Sequence, residues 1–167
     1  VPLIKRFIQD QRDGHYDGVP EIGIQTSSLL NRYQRKSLGL SDESGGVLVE
    51  RIIPRSSAEG ILEEGDVLLG VAGKSIDRAG MVHFGEHRVD FFIEAEHLQV
   101  GDSLFFKVWR DRSLLNLQIT LKPPPFSAEL RNAYDILPEY LIVGGLVLIA
   151  LNRDYLQSEG KQTPELS

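Results

Sequence analysis

Three consecutive prolines, Pro123 to Pro125 in "KPPPF", constrain this chain more than any other feature. Proline lacks the amide N–H and fixes φ, so neither a helix nor a sheet ladder runs through three in a row. The chain must fold on either side of a stiff, extended stretch. Residues 123–138 are read as that Pro-rich linker. About forty residues follow the prolines, too few to bury much core unaided. The ordered domain is therefore expected before them.

Upstream, Leu3, Ile4, Phe7 and Ile8 form one helical stripe, with Pro2 near its start. Residues 1–14 are read as a helix and linker. Asp13-Gly14 and Asp17-Gly18 break the chain. "EIGIQT" is short and extended, and "SSLLNRYQRKSLGL" predicts a short helix or irregular turn ending near Gly39. Residues 46 to 121 read as a mixed unit. "GVLVERII" is a strand, "SSAEGIL" a serine cap with one helical turn, and "EEGDVLLGVAGKSI" a turn, a strand, a turn and a return strand. "DFFIEAEHLQVG" predicts a helix with Asp90 as N-cap and Gly101 as its stop. "DSLFFKVWRDRSLLNLQITL" predicts a hairpin whose second arm turns Leu115, Leu117, Ile119 and Leu121 inward. Beyond the prolines, Leu141 to Leu151 is an apolar run with two glycines. It is shorter than the roughly 18 residues of a membrane helix and reads as a buried strand.

The formal charge is -6 with no Lys/Arg cluster, which argues against a nucleic-acid binder. The chain has no cysteine, so disulfides and thiolate chemistry are excluded. No phosphate-binding glycine loop occurs and no cofactor is implied. The chain starts at Val1 without a basic-then-apolar leader, and is read as a piece of a longer protein.

Two stretches imitate catalytic motifs. Ser44-Gly45-Gly46 looks like the nucleophile turn of a trypsin-like protease, but only His15 precedes it, with Asp13, Asp17 and Asp42 nearby. So short a segment cannot build the two barrels that bring such a triad together. The two glycines are read as a turn supplying positive φ before a strand. "HFGEH", with His83, Glu86 and His87, imitates an inverted zinc-hydrolase signature and is carried as a low-ranking alternative. It requires a helix, and Gly80 and Gly85 make one unfavourable. His97 reads as a surface or groove-edge residue.

Residues 45 to 76 resemble the heart of a PDZ domain from the HtrA/Deg serine proteases. The residues that carry the resemblance are Gly46 to Val49, Pro54, Ser56, Ala58, Gly60-Ile61, Gly65 to Leu69 and Ala72-Gly73-Lys74. Ala72 stands where the family usually has Asn. "EIGI", Glu21 to Ile24, falls at the family's carboxylate-binding loop, with Glu21 in place of the usual aromatic. "VGDSLFFKVWRDRS" is similar to the family's later hairpin, with Arg112-Ser113 at its glycine turn. "LPEYLIVGGLVLIALNRDYL" resembles the start of a second PDZ domain in the plant-type Deg branch. "GIQTSSLLNRY" and "GLVLIALNRDY" are then two copies of one strand. The longer 77–90 insert also suits that branch.

The resemblance implies a mixed α+β fold, a PDZ-like partly open β-barrel or sandwich of about five to six strands with two helices. It places a PDZ domain at 15–122 and the start of a truncated second PDZ-like domain at 139–167. The implied function is a non-catalytic, regulatory peptide-binding module of a serine protease whose catalytic domain would precede Val1. Implied partners are peptide or unfolded-protein C-termini, the parent's own protease domain and a possible homo-oligomer, without nucleic acid or a membrane span. The implied compartment is a bacterial envelope or an organelle. An extended peptide would add to a strand edge, its carboxylate held by backbone N–H groups. By resemblance, Ile22, Gly23 and Ile24 form the carboxylate loop, Gln25 and Thr26 begin the docking strand, and Phe92 and Ala95 belong to the opposing helix. Arg12 is a candidate cation. An oligomerisation module with a self-occupied groove is the reading from a different class, motivated by the 141–151 run.

Overall fold

A computed structural model describes residues 19–124 and 139–149, together with Ile8. The chain forms two compact units, Val1–Pro124 and Pro125–Ser167. In the first, the strands are β1 (Ile24–Ser28), β2 (Val47–Ile52), β3 (Val67–Val71), β4 (Lys74–Ser75), β5 (Met81–Phe84), β6 (His87–Asp90), β7 (Ser103–Arg110) and β8 (Ser113–Thr120). The helices are α1 (Arg32–Ser37) and α2 (Ile93–Glu96). An antiparallel sheet runs β1-β2-β3-β7-β8, with β4 paired to β3, while β5 and β6 form a separate hairpin. Among the described residues the expected mixed α+β architecture is present, with six strands in one sheet and the helices α1 and α2. The sheet is open, with β1 and β8 at its edges, and does not close into a barrel.

Alternation builds this sheet. Leu104, Phe106 and Val108 of β7 point inward between exposed Ser103, Phe105 and Lys107. On β8, Leu115, Leu117 and Ile119 face in and Asn116, Gln118 and Thr120 face out, as their period of two demands. The pair runs in register from Ser103↔Thr120 to Arg110↔Ser113. Asp111 and Arg112 close it, both at positive φ, the geometry of a two-residue hairpin turn. The core under the sheet gathers Ile22, Val49, Leu62, Leu68, Ile76, Phe91, Phe106 and Ile119. The only tryptophan, Trp109, donates its indole N–H to the Leu38 carbonyl at 2.9 Å.

Four sequence expectations are corrected. The 90–101 helix shrinks to α2. Asp90 is not its N-cap: Phe92 holds that position without a side-chain cap, and Asp90 accepts from the Phe92 N–H at 3.0 Å in the turn before the helix. Phe91 sinks wholly into the core and stacks on Phe92 with centroids 4.2 Å apart. The Asp102 carboxylate takes the Gln99 N–H and ends the element early. "SSAEGIL" is a set of turns, because Ser56 and Ser57 direct their hydroxyls to another segment instead of capping a helix. Of Gly45 and Gly46, only Gly46 has positive φ, at 105°. Gly45 is required because a Cβ there would overlap the Ile76 carbonyl.

The fourth correction concerns the second unit, where "LIVGGLVLIAL" is neither one strand nor buried. Its described residues form a hairpin of β9 (Tyr140–Val143) and β10 (Leu146–Ile149), every residue of which is exposed. Gly144 and Gly145 are both at positive φ and turn the chain back on itself. The 3–8 helical stripe, apart from Ile8, and most of the 123–138 linker lie outside the described residues. Among those residues no helix is long and apolar enough to cross a membrane.

Candidate functional site

The segment from Pro20 to Ile24 is held by its carbonyls. The Glu21 carbonyl accepts from the Ser57 hydroxyl, the Ile22 carbonyl from the Ala58 N–H at 3.1 Å, and the Gly23 carbonyl from the Ile53 N–H at 2.9 Å. The Ser56 hydroxyl adds a second bond to the Gly23 carbonyl at 3.2 Å. Glu21 also pairs with Lys122 in an isolated bridge, and the Lys122 N–H donates to the Ser57 hydroxyl. With the oxygens engaged, the amides of Ile22 and Gly23 find no main-chain acceptor among the described residues. Gly23 sits at φ +75°, where side-chain-bearing residues are strained, and a Cβ there would overlap Ser56. The Ser56 side chain therefore requires a glycine at this position.

The chain then enters β1, whose outer edge has no strand partner among the described residues. Ile24 faces Ile52 and is buried, while Gln25, Thr26 and Ser27 are half-buried. The register shifts between Gln25 and Thr26, where Glu50 of β2 is the unpaired residue.

Across from the 19–22 segment stands α2. A cavity of about 320 Å³ lies between them, lined by Val19, Pro20, Glu21, Ile22, Phe92, Ala95, Glu96 and Pro124. Of the seven residues expected at a site, Ile22, Phe92 and Ala95 come together here. Gly23, Ile24, Gln25 and Thr26 do not line this cavity and continue from its rim along the loop and edge strand. Phe91 belongs to the core and Phe92 to the cavity wall. The helix is pinned by Glu94, which is buried and meets Lys74 Nζ at 2.5 Å. Lys74 also lies over the Phe84 ring, 4.4 Å from its centroid.

Sequence reasoning missed three residues that position this loop: Ser56, Ser57 and Lys122. Ser56 and Ser57 were read as a helix cap, and both are buried. The Pro-x-Ser-x-Ala pattern marked the segment, but nothing local reveals a hydroxyl that bonds more than thirty residues away. Lys122 sets its Nζ 3.4 Å from the Ser56 carbonyl. Arg12, the cation proposed from sequence, lies outside the described residues.

The motif imitations are placed as well. Ser44 pairs its hydroxyl with that of Ser41 at 2.8 Å in the turn before β2. His15, Asp13 and Asp17 lie outside the described residues. His83 and His87 are not one helical turn apart. They flank the Gly85-Glu86 turn of the β5–β6 hairpin, with His83 opposite Arg88 and His87 opposite Phe84. Directly opposed residues share a face and neighbours along a strand alternate, so the two histidines point to opposite sides. Among the described residues no three potential metal ligands cluster. His97 packs on Phe84, with centroids 5.1 Å apart.

Residues 130–166 match the PDZ domain family model. Do-like protein 11 of Arabidopsis thaliana, a mitochondrial relative, is 31% identical over 97% of this chain and 29% of its own length. The Arabidopsis protease Do-like 2, chloroplastic, is 28% identical over 96% of this chain and 26% of its own. Over nearly its whole length the chain is similar to part of the Do-like proteases. It spans less than a third of the length of these Do-like relatives. Among solved structures, the HtrA-type protease AlgW with a decapeptide is 22% identical, with a TM-score of 0.49, over 74% of this chain and 34% of that one. In this chain the cavity lies between the 19–22 segment and α2.

Proposed function

We propose that residues 19–124 bind extended or C-terminal apolar peptides by strand addition, as a regulatory module of a serine protease. The observation that carries this reading is the apolar cavity between the 19–22 segment and α2, from which the chain runs through Gly23 into an edge strand with no outer partner among the described residues. A peptide strand pairing with β1 uses main-chain hydrogen bonds for affinity, and an apolar side chain in the cavity adds specificity. The amides of Ile22 and Gly23, which have no main-chain acceptor among the described residues, suit a terminal carboxylate, since successive N–H groups form an anion-binding concavity. Ile22, Phe92 and Ala95 shape the pocket. Gly23 and Ile24 shape the carboxylate loop, and Gln25 and Thr26 the docking edge. Proteolysis itself would belong to a catalytic domain of the parent protein.

The test is fluorescence polarisation with a library of labelled ten-residue peptides of varied C-termini. Apolar-ended peptides should bind, and Phe92→Ala should weaken the best of them by about tenfold, within the range for truncating a buried aromatic anchor. If no apolar-ended peptide binds the folded chain, the groove reading is wrong.

A second reading is favoured by one observation, the exposed apolar residues of β9 and β10. Strands apolar on both faces are normally covered on both. We propose that this hairpin associates with a second copy of the chain. Analytical ultracentrifugation should show a concentration-dependent dimer that Val147→Lys abolishes. A monomer at every concentration refutes this.

A further inference from the structure

The cavity is apolar in its walls and acidic at its mouth. Its charged lining residues are Glu21 and Glu96, and it contains no lysine, arginine or histidine. Glu96 already takes part in another interaction, so Glu21 is the charge that matters. The Glu21 main chain is fixed on both sides, its N–H to the Lys122 carbonyl at 3.1 Å and its carbonyl to the Ser57 hydroxyl. The side chain is exposed. Among the described residues no cation stands within ion-pair distance of it. Lys122, directly across the bridge, turns its ammonium to the Ser56 carbonyl and does not line the cavity.

We infer that the groove selects peptides carrying a cationic side chain next to the apolar residue that fills the cavity. This rests on the peptide-groove reading above and specifies its ligand. A peptide whose only charge at this mouth is its terminal carboxylate meets a carboxylate of the same sign. A Lys or Arg beside the apolar anchor places opposite charges at the rim and offsets that repulsion. Rim charges of this kind set preference and on-rate more than total affinity. For an exposed pair the expected preference is about 1.5- to 5-fold in Kd. It should be largest at low salt and shrink as the screening length shortens.

The test uses fluorescein-labelled ten-residue peptides ending in valine, identical except for Lys, Ser or Glu at each of the three positions before the last. Binding to the full chain is measured by polarisation at about 50 mM and about 500 mM salt, where screening differs several-fold in length. At one or more of the positions, the order of affinity at low salt should be Lys, then Ser, then Glu. Glu21→Gln should flatten that order and Glu21→Lys should reverse it. Circular dichroism checks that both variants keep the fold. Equal affinities for all the peptides, or an order that Glu21→Lys leaves unchanged, overturn the inference while leaving the groove standing. Failure of every peptide to bind overturns the groove reading and this inference together.

Discussion

The contact between Gly23 and Ser56 can be tested quantitatively. Gly23→Ala introduces two costs. A side-chain-bearing residue at φ +75° costs about 1–2 kcal/mol relative to its favoured conformation. Its Cβ also overlaps the Ser56 Cβ and lies 2.7 Å from the Ser56 hydroxyl oxygen, so one backbone must shift. Forcing atoms into a packed site typically costs about 1–3 kcal/mol. The sum is roughly 2–5 kcal/mol, a large fraction of the roughly 5–15 kcal/mol by which domains are stable. Ser56→Gly removes the obstructing atoms. It also removes the hydroxyl bond to the Gly23 carbonyl, which keeps its bond from the Ile53 N–H, so the single change costs about 1 kcal/mol. In that background Gly23→Ala should cost only the conformational part, about 1–2 kcal/mol. The four proteins form a double-mutant cycle with an expected coupling of about 1–3 kcal/mol. Urea unfolding followed by fluorescence reads it, because the sole tryptophan, Trp109, lies in the first unit. If Gly23→Ala costs the same in both backgrounds within about 0.5 kcal/mol, Ser56 is not what demands the glycine.

Three further outcomes are expected. Ala72 sits at φ +49° in the turn between β3 and β4, so Ala72→Gly should stabilise the chain by about 0.5–1 kcal/mol, visible as a higher urea midpoint at unchanged slope. Asp66 is buried and takes two hydrogen bonds from the Arg110 guanidinium, each at 2.7 Å. Asp66→Ala should cost about 2–4 kcal/mol by urea unfolding, less than for a fully buried pair because Arg110 keeps some exposure. Burial would raise the Asp77 pKa, but the N–H groups of Met81 and Ala79 and the Arg88 guanidinium outweigh it and hold it below the ordinary value of 3.8. Its stabilising contribution is therefore complete above the unfolded pKa and lost as pH falls through the lowered folded one. Urea midpoints measured from pH 6 down to pH 2 should fall more steeply for the native chain than for Asp77→Asn.

Where local chemistry decides the conformation, the sequence is readable. The alternation of Leu115, Leu117 and Ile119 requires a half-buried strand, and that strand is β8. By resemblance, "EIGI", Phe92 and Ala95 were expected to belong to one site, and of these Ile22, Phe92 and Ala95 line one cavity together with Glu21. What could not be read depends on partners distant in the chain. Ser56 and Ser57 have the same local appearance whether they cap a helix or clamp residues 21–23, and only the fold chooses. The length of α2 turns on Phe91 choosing the core over the helix face. The apolar run after the prolines has no alternation, so its turn at Gly144-Gly145 was hidden by hydrophobicity that suits one long strand equally well.

The saturated carbonyls of Glu21, Ile22 and Gly23 have a kinetic consequence. A peptide plane whose oxygen is bound can no longer rotate, so the orientation of its N–H is set when the domain folds. The entropy of ordering that loop is then part of the folding free energy and not of association. On the peptide-binding reading, encounter would be limited by collision and alignment, without a slow rearrangement. Observed rates should rise linearly with peptide concentration, with an on-rate of about 10⁵–10⁷ M⁻¹s⁻¹.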